Sequence, residues 1–350
     1  MAAQSTLRWQ SAEVLEATDI ADSVRRIVIQ PRHAQPAAPG SHLDVEVTHA
    51  GRTVRRSYSV VRSEDEGRRW TISVQLAPTS RGGSRAMHAL QPGDSLRVSY
   101  PLLNFPLGVG AARYVLVAGG IGITALVAMG SALRRRGADY TMVLVGRSRS
   151  VMAYLDELTE EHGDRVAVHV DDEGTSLDVG ALVGEISGSD RAASTELYVC
   201  GPIRMMDALR REWTRRELPG PNLRFETFGN SGAWSPESFR VHIPALDREV
   251  TVGEEDTLLD ALETAGVQLM SDCRKGECGL CAVRVLGCDG QIDHRDVFLS
   301  DEQKAQDAYL CACVSRVASG DQPQVRDGVR TLTIDVPERV RRASPPWVLS

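Results

Sequence analysis

The stretch YVLVAGGIGITALVAMGSALRRR, Tyr114–Arg136, admits two readings that lead to different proteins. Its first twenty residues, Tyr114–Leu133, carry no charge, and three arginines follow. Length and flanking charge satisfy the rule for a membrane-spanning helix. The internal order argues otherwise. A β-branched run, Val115–Ala118, gives way to Gly119-Gly120-Ile121-Gly122, and only then comes a helix-like stretch from Thr124 to Arg136. Strand, glycine turn and helix in that order open a buried α/β unit, and on this reading the chain has no membrane span.

The same rhythm continues C-terminally. "YTMVLVGRS", "RVAVHV" and "TELYVCG" read as strands among helical stretches at 124–136, 150–161 and 203–216, which predicts a doubly wound parallel α/β domain over 109–228. N-terminally, residues 1–108 hold "VRRIVIQP", "HLDVEVTHAG", "RRSYSVVRS" and "RWTISVQLAP", short β-branched or alternating segments between Gly, Pro and charged turns. Close spacing of that kind predicts an antiparallel β-barrel. Residues 229–238, GNSGAWSPES, read as a linker. Beyond it, "FRVHIPALDREVTV" predicts a hairpin, and "DTLLDALETAG" a short helix begun by Asp256 or Thr257. With "RTLTIDV" as a last strand they outline a third domain at 239–337, leaving 338–350 as a tail.

A length of 350 residues fits two or three domains. Of the seven cysteines, six fall after residue 270; an odd number without a secretory leader points to a reducing cytoplasm and a metal site rather than to disulfides. The net charge of −7 is uneven. Arg240–Asp335 holds ten basic and eighteen acidic residues, a net −8, which leaves +1 for the rest of the chain. An acidic C-terminal module argues against nucleic acid and permits docking to a basic protein surface.

The cysteines carry the most specific signal. "CRKGECGLC" sets Cys273, Cys278 and Cys281 at C-x4-C-x2-C spacing, the plant-type [2Fe–2S] pattern that a distant fourth cysteine completes. Gly276 and Gly279 remove side-chain bulk, so backbone N–H groups can reach the sulfurs and tune the potential. A structural zinc site would pair two short hooks instead. In "LCACVSR" both Cys311 and Cys313 stand at the right distance, and on a regular strand both would share one face.

Two weaker constellations precede it. Arg56-Ser57-Tyr58-Ser59 offers an aromatic ring and hydroxyls to a planar cofactor, and Arg81-Gly82-Gly83-Ser84 offers backbone N–H groups and charge to a phosphate. Each alone is more often a plain strand or a plain turn. Gly119, Gly120 and Gly122 before a helix suit a pyrophosphate, and Cys200-Gly201-Pro202 closes a second strand where doubly wound sheets bind ligands.

Together "RSYS … RGGS … GGIGIT … CGP … CRKGECGLC … DHRD … CVSR", spread over about residues 8 to 336, resembles the phthalate dioxygenase reductase family, which includes the vanillate demethylase reductases. The resemblance implies an FMN-binding barrel, an NAD-binding domain and a C-terminal β-grasp ferredoxin. It implies a monomeric, cytoplasmic electron-transfer reductase, passing electrons from NADH through FMN and [2Fe–2S] to a terminal oxygenase or monooxygenase that docks transiently. It assigns Arg56, Ser57, Tyr58 and Ser59 to the flavin, Ser73, Val74 and Gln75 to its flank, and Arg81, Gly82, Gly83 and Ser84 to its phosphate. It places Thr124 near flavin and nicotinamide and Cys200 beside the nicotinamide. It lays Phe228 over the flavin ring and selects Cys313 as the fourth cluster ligand. Ala125 stands where the family has proline after "GGIGIT", and "PLLNFPL" lacks an arginine usual before "FPL". Arg147 and Arg149 could accept a 2′-phosphate, so NADPH stays open. A Rieske-type oxygenase or demethylase and a haem-thiolate monooxygenase are rival partners, and a non-catalytic redox sensor is the reading from another class.

Overall fold

The computed structural model describes residues 8–49, 52–76, 82–228, 234, 236–254, 256–320 and 328–337. The chain divides between Glu226 and Thr227 into two compact units.

In the first unit, β1 (Trp9–Ala21), β2 (Val24–Pro31), β3 (Ser41–His49), β4 (Arg52–Ser59), β5 (Arg62–Glu64), β6 (Arg69–Gln75), β7 (Ser95–Ser99) and β8 (Leu102–Leu103) form an antiparallel sheet in the order β4-β3-β7-β1-β2-β6-β5, with β8 on β3. Alternation puts Val14, Ile27, Ile29, Leu43, Val45, Trp70, Ile72 and Val98 inside. Met87 of the short helix α1 (Gly83–His88) is buried among them, so α1 is anchored by its own side chain beside β4.

Strands β9 (Arg113–Gly119), β10 (Tyr140–Gly146), β11 (Val166–Val170), β12 (Thr195–Cys200) and β13 (Leu223–Glu226) form an all-parallel sheet ordered β11-β10-β9-β12-β13. Helices α2 (Ile123–Arg135), α3 (Leu155–His162), α4 (Val179–Ser187) and α5 (Ile203–Arg215) connect the strands. The ambiguous stretch is therefore β9, a tight turn and α2. No helix among the described residues is long and apolar enough to cross a membrane. Its lack of charge has a simple cause: a central parallel strand and the helix covering it are both buried. Helix α4 and strand β13 were not read from sequence. The first is nine residues, capped by Asp178 accepting from Ala181 N–H at 2.9 Å, and the second is four; neither is long enough to show a period.

In the second unit, the predicted hairpin is β14 (Phe239–Ile243) and β15 (Arg248–Val252), and the predicted helix is α6 (Leu258–Thr264), N-capped by Thr257. Strands β16 (Ala282–Cys288), β17 (Gln291–Asp293), β18 (Tyr309–Cys311), β19 (Arg316–Ala318) and β20 (Arg330–Asp335) and helix α7 (Asp301–Ala305) complete it. The sheet runs β15-β14-β20-β16-β18, with β14 and β20 parallel and the remaining pairs antiparallel, and β17 pairs separately with β19. Phe239, Val241, Leu258, Leu262, Leu310, Leu332 and Ile334 fill its core.

Candidate functional site: strand ends and a cysteine loop

The sheet reverses strand order between β9 and β12, and the C-terminal strand ends at such a reversal are where doubly wound sheets bind ligands. Register brings Ala118, Cys200 and Glu226 side by side across β9, β12 and β13. The glycines divide into two kinds. A Cβ on Gly119 would lie 2.5 Å from Pro202 Cδ, one on Gly201 would lie 2.9 Å from Gly119 Cα, and one on Gly122 would overlap the Cys200 carbonyl. These three let the two strand ends touch. Gly120 has φ +52° with open space before it, so it is the one that faces outward. Thr124 is buried in the first turn of α2 and its hydroxyl donates to Ile121 O at 2.9 Å, which ties the glycine turn to the helix.

On β4, Arg56 and Tyr58 share one face while Ser57 and Ser59 share the other. Arg56 reaches over the start of α1: a Cβ on Gly83 would sit 3.1 Å from its Nε and 3.3 Å from its Cγ. Glycine at 83 thus leaves room for a guanidinium beside the amides of Gly83 and Ser84, a donor set that suits a phosphate. Burial pushes the Tyr58 hydroxyl well above its ordinary range, with Arg56 opposing, so it stays neutral. Ser57 donates to Asp44 at 2.6 Å. Ser59 is buried and donates to Glu226 Oε2 at 3.3 Å. Glu226 is 2 % exposed. It went unread in the sequence because only the register of β13 places it beside Cys200.

On the flanking strand β6 the three side chains differ in their surroundings. Val74 belongs to the barrel core and Gln75 is exposed. The Ser73 hydroxyl is 2.5 Å from Tyr154 Oη. Tyr154 has φ 64°, a strained backbone for an aromatic residue, and is buried. Nearby, Glu157 holds both Arg26 and Arg62, at 3.2 and 2.8 Å. Arg81 lies outside the described residues, as does most of the predicted linker. Arg149 is engaged by Glu173 in a two-point salt bridge at 2.7 and 3.0 Å. Phe228, half-buried, follows β13 by two residues in the second unit.

In that unit, Cys273 Sγ accepts backbone N–H groups from Lys275 at 3.5 Å, Glu277 at 3.4 Å and Cys278 at 3.4 Å. Gly276 and Gly279 have φ +77° and +70°. Gly276 lies against Asp296 and Val314, and Gly279 against the Phe298 ring. The glycines therefore serve the loop's turn as well as close approach. Cys281 is drawn down by hydrogen bonds from Cys311 and Cys313, while sharing that thiolate and burial push both partners up. Strand β18 ends at Cys311, and Ala312–Val314 turn back. The face argument from a regular strand does not reach Cys313, and both thiols are buried beside Cys281. Thiolate-forming side chains, with amides aimed at Cys273 Sγ, are the donor chemistry that an iron–sulfur cluster requires.

An antiparallel barrel with a guanidinium over a glycine turn, a parallel sheet with a glycine turn at its strand-order reversal and a cysteine loop of plant-type spacing define a flavin and iron–sulfur oxidoreductase. Comparison agrees part by part. The "Oxidoreductase FAD-binding domain" family matches residues 11–106 and the "2Fe-2S iron-sulfur cluster binding domain" family residues 241–318. The chain is 37% identical over 286 residues to the phenoxybenzoate dioxygenase subunit beta of Ectopseudomonas oleovorans, covering 80% of this chain and 85% of that one. It is 35% identical to the heme-dependent oxidative N-demethylase beta subunit of Ectopseudomonas mendocina (strain ymp), covering 79% and 84%. The solved phthalate dioxygenase reductase, "a modular structure for electron transfer from pyridine nucleotides to [2Fe–2S]", superposes with a TM-score of 0.70 at 29% identity, covering 94% of this chain and 98% of that one. The chain belongs to this family of oxygenase reductase components.

Proposed function

We propose that the chain takes electrons from NADH, holds FMN as its flavin, and delivers single electrons through a [2Fe–2S] cluster to a Rieske-type oxygenase or demethylase. The observation that carries this reading is the cysteine loop, with three amides on Cys273 Sγ, on one chain with a parallel sheet whose strand order reverses at the glycine turn. Flavin and cluster, when bound, supply the division of one two-electron hydride donation into single-electron transfers.

The chain's own residues bind and orient. Arg56, Gly82, Gly83 and Ser84, with Arg81 by its place in the sequence, take the flavin phosphate, which is the single phosphate of FMN. Tyr58, Ser57 and Ser59 hold the ring, with β6 at Ser73, Val74 and Gln75 flanking it. The core packing of Val74 and the Tyr154 bond to Ser73 make that flank a matter of backbone. Gly119, Gly120, Gly122, Gly201 and Pro202 frame the nucleotide, Thr124 and Cys200 border the nicotinamide, and Phe228 covers the ring in its absence. Glu226 orients the Ser59 hydroxyl by accepting its hydrogen bond on Oε2. Salt-bridging of Arg149 by Glu173 supports NADH over NADPH. Cys273, Cys278, Cys281 and Cys313 are the cluster ligands. The protein is a cytoplasmic monomer, and its acidic second unit docks the oxygenase transiently, so partner reduction slows as salt rises.

Anaerobic addition of NADH to the purified protein tests the reading: flavin and iron–sulfur absorption should bleach. A colourless protein, or one unchanged by NADH, ends it. A haem-thiolate partner is the second reading, supported by a 34% identical match to an intact type IV self-sufficient cytochrome P450 monooxygenase with a TM-score of 0.62. That match covers 93% of this chain and 41% of the longer one.

A further inference from the structure

Thr227 is buried, yet its polar atoms serve neither a strand nor a helix. Its backbone N–H donates to Glu277 Oε1 at 2.6 Å. Its hydroxyl donates to Lys275 O at 2.5 Å and lies 3.1 Å from the same Glu277 oxygen. Lys275 and Glu277 are the residues whose own N–H groups point at Cys273 Sγ, at 3.5 and 3.4 Å. They flank Gly276, whose φ of +77° turns the loop between them. One threonine therefore grips both sides of the turn that presents two of the three amides to this sulfur.

We propose that Thr227 is a positioning residue for the cluster: by clamping Lys275 and Glu277 it holds two N–H groups on Cys273 Sγ and raises the cluster's reduction potential. The reasoning is electrostatic. Reduction adds negative charge to the cluster and its thiolates, and hydrogen bonds to sulfur stabilise the more negative state. A loop free to turn those amides away lowers the potential. The inference rests on the [2Fe–2S] reading and goes beyond it by naming what sets the electron-accepting strength of the site. Nothing in the motif C-x4-C-x2-C marks Thr227, which lies 46 positions before the first cysteine.

The test is a redox titration of the full-length protein carrying flavin and cluster, following the reduced cluster by electron paramagnetic resonance, with the flavin potential as internal reference. Thr227→Val keeps shape and backbone N–H but removes the hydroxyl. At the wild-type midpoint its reduced-to-oxidised ratio should fall by about threefold or more, roughly 28 mV for a one-electron couple at 59 mV per tenfold. Thr227→Ser, which restores the hydroxyl, should stay within about threefold of wild type. A smaller shift in T227V, or an equal shift in T227S, overturns the proposal. Should T227V purify without cluster, T227S decides alone: cluster retained at near wild-type potential supports the clamp, and cluster lost refutes it. Absence of a cluster from the wild-type protein would instead refute the functional reading.

Discussion

Replacing Gly276 by alanine should destabilise the second unit more than the same change at any other glycine of its cysteine loop. Gly276 has φ +77°, where an L-residue costs about 1–2 kcal/mol. Its added Cβ would also stand 2.7 Å from Val314 Cγ2, 2.9 Å from Asp296 Cα and 3.0 Å from Asp296 Cβ. The Val314 methyl can shift, but Asp296 Cα is backbone. It is fixed by Leu299 N–H on Asp296 Oδ2 at 2.8 Å and by Val297 N–H on Gly276 O at 3.0 Å. Overpacking of that kind adds about 1–3 kcal/mol, for a total of about 2–5 kcal/mol. Gly279 shares the strain at φ +70°, but its obstacle is the Phe298 side chain, 48 % exposed and able to swing out, so Gly279→Ala should cost about 1–2 kcal/mol. Gly287 has no positive φ and nothing within 4 Å, so Gly287→Ala should stay within about 0.5 kcal/mol of wild type. Thermal bleaching of the iron–sulfur absorption reports on this unit separately from the first. At about 4–8 °C per kcal/mol for a domain near 100 residues, Gly276→Ala should melt at least about 8 °C early. Equal melting of the Gly276 and Gly287 variants would refute the steric reasoning, and a Gly279 variant worse than Gly276 would refute the ranking.

Four other perturbations follow from the same geometry. Cys313→Ser should abolish the iron–sulfur absorption while Cys311→Ser keeps it; the reverse pattern would make Cys311 the ligand. Phe228→Ala should change both nucleotide affinity and the rate of flavin reduction by NADH, and an unaltered pair of values removes the covering role. Tyr154→Phe leaves the buried Ser73 hydroxyl without its partner and should lower the stability of the first unit by about 1–3 kcal/mol in calorimetry, whereas an unchanged melt would show that the bond contributes nothing. Burial disfavours the charged form of His294, but the Asp296 carboxylate 3.7 Å from Nδ1 and a hydrogen bond to Asp307 outweigh it and lift its pKa above the ordinary 6.5. A raised pKa stabilises the fold fully below 6.5 and is lost as pH climbs through the lifted value. The second unit should therefore weaken from pH 6 toward pH 8, and a His294→Gln variant with the same slope would assign that loss to another group.

How much of this was legible in sequence differs from element to element. Tyr114–Arg136 was decided by order alone, because a strand, a glycine turn and a helix have different local chemistries even when all three are apolar. The C-x4-C-x2-C loop was equally plain, since ligand spacing is a covalent property of the chain. The hairpin at 239–252 and the cap at Thr257 were local as well. Glu226 was not legible: a glutamate at the end of a four-residue strand carries no period, and it enters the site only because parallel register sets it beside Cys200. Ser73 was assigned to a cofactor, yet its hydroxyl is taken by Tyr154, 81 residues away. Thr227 belongs to no motif, and its hydrogen bonds reach 48 and 50 positions along the chain. Motifs determine which atoms can do chemistry, because those atoms are joined by a few bonds. Tertiary structure decides which distant side chains orient them, because hydrogen bonds and close packing act through space and leave no mark on spacing.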